Sequence, residues 1–266
     1  MRGKSLLPII MLAGGLTMGV DARSQALSSA ELLTLSKSLG VVTPIGGTTE
    51  GNGVFVDRCH ALTNFHVAFG KSVDPITKQI EIFDSPAVGH QVDFSYDLDA
   101  PSGRLTKRSK ATVIYFGDYS PGVGRGMVAD TAMLRLDPCV DDEFVKVAFD
   151  RPDSGQRVPG GNLVTLSFMR TRDGKYEILT FAKCPSLPGT VVTGLFMAFC
   201  GMPPGSSGSM LLSSERADGQ WRMVGLATYR KTFADGSQPT FAIYSKALLK
   251  FIEDALGPIA AASLPK

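Results

Sequence analysis

The amino-acid sequence predicts an all-β protein built from antiparallel strands. From residue 41 onward, short apolar or alternating runs are separated by Gly, Pro, Asp and Asn, the residues typical of turns. The chain has 29 glycines and 16 prolines among its 266 residues, so turns are frequent. No strand-helix-strand alternation points to βαβ units, which favours a barrel or a sandwich.

Composition and charge narrow the class of protein further. Hydrophobic residues make up 44% and charged residues 20% of the chain, as in globular proteins and unlike disordered ones. The formal net charge is +2, and no basic run is longer than the pair Lys107-Arg108. We therefore expect no nucleic-acid partner, because the electrostatic footprint of such a partner is missing.

The first segment has the pattern of an export signal. A positively charged start is followed by a short apolar run over 6–20 and by a small-x-small cleavage pattern that ends at Ala26. This predicts a signal peptide over 1–26, a secreted or periplasmic protein, and no stable membrane association after processing. A retained anchor is the alternative, but the run is short and is broken by a proline and two glycines.

The next elements are a helix and a first group of strands. Residues 27–40 carry leucines at helical spacing and predict a short amphipathic lead-in helix. Residues 41–140 hold the first strands, and the acid- and proline-rich stretch 141–157 is the natural linker. The first strands are expected at Thr49–Val56, Ala61–Thr63, Gln79–Phe83, Val92–Tyr96, Ala111–Phe116 and Thr131–Leu136.

A second group of strands follows over residues 158–256. It ends in a helix at Ser245–Leu256, where apolar residues recur on one face. Residues 257–266 are expected to form a loose tail. The second strands are expected at Leu163–Met169, Tyr176–Ala182, Val191–Phe199, Ser209–Leu212, Trp221–Thr228 and Phe241–Tyr244.

Ser207 lies in the most distinctive turn of the sequence, residues 203–209, which we call the serine loop. The loop reads Pro-Pro-Gly-Ser-Ser-Gly-Ser and leads into an apolar strand. Gly205 and Gly208 permit backbone conformations that a side chain would block. Such a loop can present the Ser207 hydroxyl outward and direct the amides of Gly205 and Ser207 to one point, where an oxyanion would bind.

Two upstream motifs supply the partners that a catalytic serine needs. His66 ends the motif Leu-Thr-Asn-Phe-His after a pair of strands, and Asp130 precedes the alternating apolar run 131–136. A serine hydroxyl needs a base within hydrogen-bond reach, and a carboxylate holds the imidazole of that base in one tautomer. His90, in contrast, is expected in a solvated loop.

These motifs, in the order His66, Asp130, Ser207, resemble those of the chymotrypsin-like serine peptidases, particularly the bacterial secreted members. The resemblance spans about residues 41–255. It implies two six-stranded antiparallel β-barrels with the site in the cleft between them. It also implies that Ser207 attacks the scissile carbonyl, His66 transfers the proton, Asp130 orients His66, and the amides of Gly205 and Ser207 form the oxyanion hole, without a cofactor.

The resemblance also implies a substrate pocket. Thr228 falls where the family keeps a serine that hydrogen-bonds the aspartate, and Tyr229 and Arg230 would line the pocket beside it. Gly201 stands where trypsin-type pockets carry an aspartate, so no carboxylate awaits a basic substrate side chain. Arg230 either attracts an acidic side chain or fills the pocket and admits only small residues.

The four cysteines of a chain with a predicted export signal favour disulfides, for which three pairings are possible. The resemblance implies that Cys184 pairs with Cys200 and braces the serine loop, which leaves Cys59 and Cys139 for a second bridge. A metal site formed by Cys59 and the two nearest histidines, His60 and His66, is the alternative. Its spacing fits no common ligand pattern, so we expect no metal.

The sequence thus predicts a secreted trypsin-like serine endopeptidase that hydrolyses proteins or peptides through an acyl-enzyme intermediate. The alternative is a non-catalytic protein- or peptide-binding protein of the same fold, with its serine loop distorted by Pro203-Pro204. Ser206 stands where digestive members of the family carry an aspartate that pairs with a newly cut N-terminus. We therefore expect no activation through that ion pair.

Overall fold

The computed structural model describes residues 26–74, 76, 80–119, 125–144, 147–151, 162–187, 194–214, 218–258 and 264. These residues form fifteen β-strands, four α-helices and one short 3-10 helix. The predicted signal peptide up to residue 25 lies outside the described residues, and so does 152–157 of the predicted linker. Within the described ranges, no helix combines the length and the apolar character needed to cross a bilayer.

The first half of the chain forms a closed antiparallel barrel. Its strands are β1 (Leu39–Pro44), β2 (Gly51–Phe55), β3 (His60–Thr63), β4 (Gly70–Val73), β5 (Ile80–Ile82), β6 (Gln91–Asp99), β7 (Arg104–Phe116) and β8 (Ala132–Asp137). Six of them close the barrel in the order β1-β2-β3-β8-β7-β6, whereas β4 and β5 form a separate hairpin. The predicted six-stranded first barrel is therefore confirmed, with one change of membership.

That change concerns β1 and β5. The sequence pattern placed a strand at Gln79–Phe83 in the barrel, but β5 pairs only with β4, and the sixth barrel strand is β1. Five of the six β1 residues are buried, so the strand lacks the alternation that marks a half-exposed strand. It also follows the lead-in helix after two residues, and its leucine and valines continue the apolar pattern of that helix.

Aromatic side chains fill the barrel. The Phe55 ring lies 5.0 Å from the Phe94 ring and 5.4 Å from the Tyr96 ring, measured between centroids. Tyr96 in turn packs edge-on against Phe144 at 5.0 Å. Such tilted and edge-on pairs are favoured over face-to-face stacking. The core therefore gives β2 and β6 a fixed position, and β2 leads to the candidate site.

The second half of the chain forms one seven-stranded sheet, which we call the second sheet. Its strands are β9 (Ala148–Phe149), β10 (Asn162–Arg170), β11 (Tyr176–Pro185), β12 (Leu195–Ala198), β13 (Met210–Ser213), β14 (Arg222–Arg230) and β15 (Thr240–Tyr244). Six follow the order β11-β10-β13-β14-β15-β12, and β9 pairs in parallel with β14. The predicted linker thus contributes β9 and a 3-10 helix at Asp142–Phe144.

A second closed barrel, which the resemblance implies, is not shown. Among the described residues, the edge strands β11 and β12 meet at one end, where Ser186 bridges to Ala198 and the Phe199 amide donates to the Pro185 carbonyl at 2.9 Å. The disulfide between Cys184 and Cys200 fastens the same corner. The sheet is therefore strongly curved, and its two edges make contact without a continuous ladder.

Two of the four helices flank the strands. Helix α1 (Ser29–Ser36) precedes the barrel, and α4 (Ser245–Leu256) has the bounds that its apolar periodicity predicts. Leu248 and Ile252 of α4 are fully buried. Most of the predicted tail lies outside the described residues. Leu264 within it is only 5% exposed and packs in the core, since an apolar side chain gains by leaving water.

The cysteines form two disulfides, Cys59–Cys139 and Cys184–Cys200, as the resemblance implied. The first closes a loop of 80 residues across the barrel, and the second closes a loop of 16 residues before the serine loop. Disulfides form and persist in oxidising compartments. The structure therefore fits an extracellular or periplasmic environment.

Candidate active site

The first barrel brings His66 and Asp130 together. His66 lies on α2 (Phe65–Ala68), the short helix that follows β3, and Asp130 lies between α3 (Arg125–Val128) and β8. Strands β3 and β8 are antiparallel neighbours in which Thr63 pairs with Ala132. The end of β3 thus lies beside the start of β8. His66 follows the first and Asp130 precedes the second, so their side chains come into contact.

The Asp130 carboxylate holds the His66 ring. Its Oδ2 lies 2.7 Å from His66 Nδ1, and its Oδ1 accepts the His66 amide at 3.0 Å. The side chains are 2% and 9% exposed, respectively. Because an ionised carboxylate can only accept, Nδ1 carries the hydrogen, and Nε2 of the neutral ring is left as an acceptor. The Asn64 side chain donates to the Asp130 carbonyl at 2.9 Å and fixes its backbone.

Thr228 is the third residue of this cluster. Its hydroxyl donates to Asp130 Oδ2. Thr228 lies at a bulge of β14, because Ala227 pairs with Ala242 and Tyr229 pairs with Phe241, which leaves Thr228 between them. Bulges next to functional sites commonly redirect a side chain. The bulge therefore explains why the Thr228 hydroxyl reaches the carboxylate in the other half of the molecule.

The serine loop lies against β2. The Asn52 amide donates to the Ser207 carbonyl at 2.7 Å, and the Gly208 amide donates to the Ala227 carbonyl at 2.9 Å. Gly208 has φ +80, and a Cβ added to it would lie 1.9 Å from the Asn52 carbonyl oxygen. Only glycine fits there, since the loop and β2 approach more closely than a side chain permits.

The Ser207 hydroxyl joins the cluster through Thr228. Ser207 Oγ donates to the Thr228 carbonyl at 3.4 Å, which is a long hydrogen bond. No hydrogen bond joins Ser207 to His66 among the residues that the structure describes. The three predicted residues therefore share one site, but the direct serine–histidine contact is replaced by a contact with the strand beside it.

Two amides of the serine loop have no acceptor among the residues that the structure describes. The Ser206 amide closes a turn by donating to the Pro203 carbonyl at 3.3 Å, and Gly205 has φ +91 in that turn. Over the described parts of the chain, neither the Gly205 amide nor the Ser207 amide donates to a protein acceptor. They are the two amides that the resemblance nominates as oxyanion donors, and both have an N–H group to donate to such a ligand.

The predicted pocket residues lie beside the serine loop. Tyr229 is 51% exposed, and Gly201 is exposed with φ +60. Arg230 is also exposed, and its Nη1 donates to the Met202 carbonyl at 3.1 Å. Its side chain thus spans from the end of β14 to the segment before the serine loop. Within the described part of the chain, no carboxylate pairs with this guanidinium.

A pocket of about 130 Å³ adjoins the serine loop at Pro204 and Gly205. An ion pair lies in its wall, where Arg170 Nη1 is 3.1 Å from Glu50 Oε1. The Tyr176 hydroxyl donates to the same Glu50 oxygen at 3.2 Å, and burial raises the pKa of Tyr176 to about 12, with the Glu50 charge as a smaller cause. The remaining lining residues are Val41, Gly51, Phe168 and Met169.

Tyr119 borders the site and is not predicted by any sequence motif. Its ring lies 5.1 Å from Phe65 and 6.5 Å from the His66 ring. Burial raises the pKa of Tyr119 to about 12, and the negative charge of Asp130 contributes to the shift. Tyr119 lies in a turn-rich stretch without periodicity, so only the folded structure identifies it.

The metal alternative is not supported by the positions of its ligands. Cys59 is oxidised in a disulfide, and His60 Nδ1 lies 2.9 Å from both oxygens of Asp57. The expectation of a solvated His90 is wrong. Its ring packs 5.1 Å from both Phe69 and Phe83, and burial lowers its pKa, because the low dielectric disfavours the imidazolium.

No protein-family model matches the chain, and no curated protein is similar to it at a significant level. The resemblance to chymotrypsin-like peptidases therefore rests on the sequence motifs.

Proposed function

We propose that the protein is a serine endopeptidase that cleaves proteins or peptides at Ser207. One arrangement carries this proposal. Asp130 binds His66 Nδ1 and the Thr228 hydroxyl, and the Ser207 hydroxyl donates to the Thr228 carbonyl. An imidazole held in this way offers Nε2 as a base, which is the requirement for activating a serine hydroxyl.

The proposed reaction has two halves. Ser207 Oγ turns from Thr228 toward His66, transfers its proton to Nε2 and attacks the scissile carbonyl carbon. The Gly205 and Ser207 amides bind the resulting oxyanion, and His66 returns the proton to the leaving amine, which gives an acyl-enzyme. Water, deprotonated by His66, then attacks the ester, and Ser207 regains its proton as the acid product leaves.

The proposal extends to the architecture and the location. We infer that the second sheet is the counterpart of the second barrel of chymotrypsin-like peptidases, since its edge strands already touch at Ser186 and Ala198. The site would then lie in the cleft between the halves. The two disulfides support an exported protein, with the first 26 residues as the signal that is removed.

One observation favours a second candidate function, a non-catalytic peptide-binding protein of this fold. The Ser207 hydroxyl donates to the Thr228 carbonyl and makes no hydrogen bond to His66 among the residues that the structure describes, whereas catalysis needs that bond. A binding protein would keep that hydroxyl in place and would have no use for a reactive serine. Fold alone does not decide between the two functions.

Labelling with a fluorophosphonate separates the two candidates, since this reagent modifies only an activated serine. We expect covalent labelling of the protein and its loss in Ser207→Ala. The neighbouring Ser206 is buried and its hydroxyl contacts Met169 Sδ at 3.5 Å, so Ser206→Ala is the matched control and should still be labelled. A folded protein that takes up no label would contradict the peptidase and favour the binding protein.

A further inference from the structure

Asn52 lies at a buried junction between the two halves of the molecule. It is a β2 residue with no exposed surface. Its contacts are with residues that lie 115, 116 and 153 positions away in the sequence, on β10 and on the serine loop. A buried polar side chain costs stability unless its groups are paired, so the identity of this residue needs an explanation.

Every polar group of the Asn52 side chain is used. Its Nδ2 donates to the Gly205 carbonyl at 3.2 Å and to Ser167 Oγ at 3.2 Å. Its Oδ1 accepts the Phe168 amide at 2.7 Å. A primary amide has two donor hydrogens and an acceptor oxygen, which matches the three partners.

The Asn52 backbone makes two further bonds. Its amide donates to the Ser207 carbonyl at 2.7 Å, and its carbonyl accepts the Thr63 hydroxyl at 2.7 Å. Asn52 therefore binds the carbonyls of both Gly205 and Ser207, the two residues whose amides have no acceptor in the described part of the chain. Because peptide groups are rigid planes, fixing these carbonyls sets the Gly205–Ser206 and Ser207–Gly208 planes on either side of the Ser207 amide.

We propose that Asn52 is the positioning residue that holds the serine loop in its oxyanion-binding conformation. Gly205 has φ +91. Because a glycine adopts positive and negative φ values at similar cost, the turn at Gly205 needs an external restraint. The Asn52 side chain supplies that restraint from the rigid barrel. The inference rests on the proposed peptidase function, because it concerns the placement of the oxyanion donors.

An aspartate at this position has nearly the same shape but lacks the donor. Asn52→Asp keeps an acceptor for the Phe168 amide and places a carboxylate oxygen against the Gly205 carbonyl. Asn52→Ser removes the amide with a smaller, uncharged side chain. Ser167→Ala is the matched control, since it removes the other acceptor of Nδ2 and leaves the Gly205 contact in place.

The test compares kcat, KM and the affinity for a peptidyl boronic acid, which mimics the tetrahedral intermediate. Removing one oxyanion donor typically costs about 100- to 1000-fold in kcat, and misplacing the donors should cost less. We expect Asn52→Asp and Asn52→Ser to lower kcat and boronate affinity about 10- to 100-fold, with KM within about threefold, because the contact acts on the transition state. Ser167→Ala should stay within about threefold in all three quantities.

Three outcomes would overturn the proposal. Folded Asn52 variants with the kcat of the unmodified protein would show that the loop does not depend on Asn52. An equal loss in Ser167→Ala, or failure of both Asn52 variants to fold, would assign Asn52 a role in packing alone. If the unmodified protein neither hydrolyses peptides nor reacts with a fluorophosphonate, the proposed function itself fails, a result recognisable without any Asn52 variant.

Discussion

The Asp130 carboxylate accepts hydrogen bonds from three donors while it is almost fully buried. Two donors come from His66 in the barrel and one comes from Thr228 in the second sheet. A buried carboxylate is costly unless such partners compensate it. The hydrogen bonds that offset the cost of burying Asp130 therefore also fix the His66 ring. The stability of the fold and the proposed chemistry depend on the same contacts.

The Thr228 hydroxyl gives the first prediction at this scale. Thr228→Val removes a hydrogen bond to a buried charged group, worth about 1.5–3 kcal/mol, and should lower kcat/KM about 10- to 100-fold. Thr228→Ser keeps the hydroxyl and should stay within about threefold. Steady-state kinetics on a peptide substrate measure both. Equal activity of the two variants would show that the hydroxyl does not hold Asp130.

Arg230 gives the second prediction. One of its N–H groups donates to the Met202 carbonyl, and its other N–H groups have no partner in the described part of the chain, so they can bind an acidic side chain of a substrate. We expect a preference for Glu or Asp before the scissile bond, and we expect Arg230→Gln to lower kcat/KM for such substrates about 10- to 100-fold. Substrates with Ala in that position serve as the control and should change by less than about threefold.

The opposite pattern is equally informative. If Arg230→Gln leaves acidic substrates unchanged and admits larger side chains, the guanidinium fills the pocket and does not recognise charge. Library profiling of both proteins distinguishes the two outcomes.

The sequence singled out His66, Asp130 and Ser207, because each lies in a short motif whose spacing is visible along the chain. The resemblance singles out Thr228, which falls where the family keeps a serine that binds the aspartate. Asn52 and Tyr119 were missed, since their importance comes from contacts that only folding creates. The Ser207–Thr228 hydrogen bond was also missed, because the rotamer of a side chain cannot be read from the sequence.

At the scale of elements, α1 shows how a short helix is attached to the fold. Ser28 and Glu31 form a capping box, and Glu31 Oε1 also accepts the Trp221 indole at 2.9 Å. A helix of eight residues is marginal by itself in water, so its stability depends on the cap and on docking. The carboxylate of Glu31 thus joins the helix to Trp221, the residue that precedes β14.

The third prediction concerns this attachment. Ser28→Ala removes the cap and should lower the free energy of unfolding by about 1 kcal/mol. Trp221 is the single tryptophan of the chain, so its fluorescence reports the docking of α1 during urea unfolding. Leu33→Ala, at an exposed position of the same helix, is the control and should have little effect.

The attachment should also depend on pH. Hydrogen bonds from the Ser28 hydroxyl and amide hold the pKa of Glu31 below its ordinary value of 4.5. The ionised Glu31 carboxylate therefore makes its full contribution to the free energy of unfolding above pH 4.5. This contribution is lost as the pH falls through the lower pKa that Glu31 has in the folded protein. In Ser28→Ala this acid-side loss should be smaller. An unchanged profile would contradict the role of the cap.

Elements with a clear period were the most predictable. The apolar face of α4 gave its bounds, because Leu248 and Ile252 recur at helical spacing. The pattern missed β1, whose residues are buried on both faces, and β9, whose two residues pair with β14 far along the chain. A strand buried on both faces has no alternation of apolar and polar residues, and a two-residue strand is too short to show one. Such strands are identified only in the structure.

At the scale of the whole molecule, each half carries its own disulfide, and the halves meet through polar contacts around the serine loop. Arg170 pairs with Glu50, and Asn52 binds Ser167, so the barrel and the second sheet are joined beside the candidate site. The curvature of the second sheet could not be predicted from local patterns, since it depends on contacts between its two edges at Ser186 and Ala198.

The disulfides give the fourth prediction. In the chain-entropy description a longer closed loop stabilises more, so loss of Cys59–Cys139 should cost about 4 kcal/mol and loss of Cys184–Cys200 about 3 kcal/mol. Paired Cys→Ala variants, unfolded in urea under oxidising conditions, measure the two costs. If neither variant differs from the unmodified protein, the disulfides do not contribute to the stability of the fold.

Digestion of a proteome-derived peptide library tests the central proposal most directly. The purified protein and Ser207→Ala are incubated with the same library, and new peptide termini are identified by mass spectrometry. We expect cleavage by the protein, with Glu or Asp before the cut bonds, and no cleavage by Ser207→Ala. Equal results from the two proteins, with both shown to be folded, would contradict the assignment of Ser207 as the nucleophile of a peptidase.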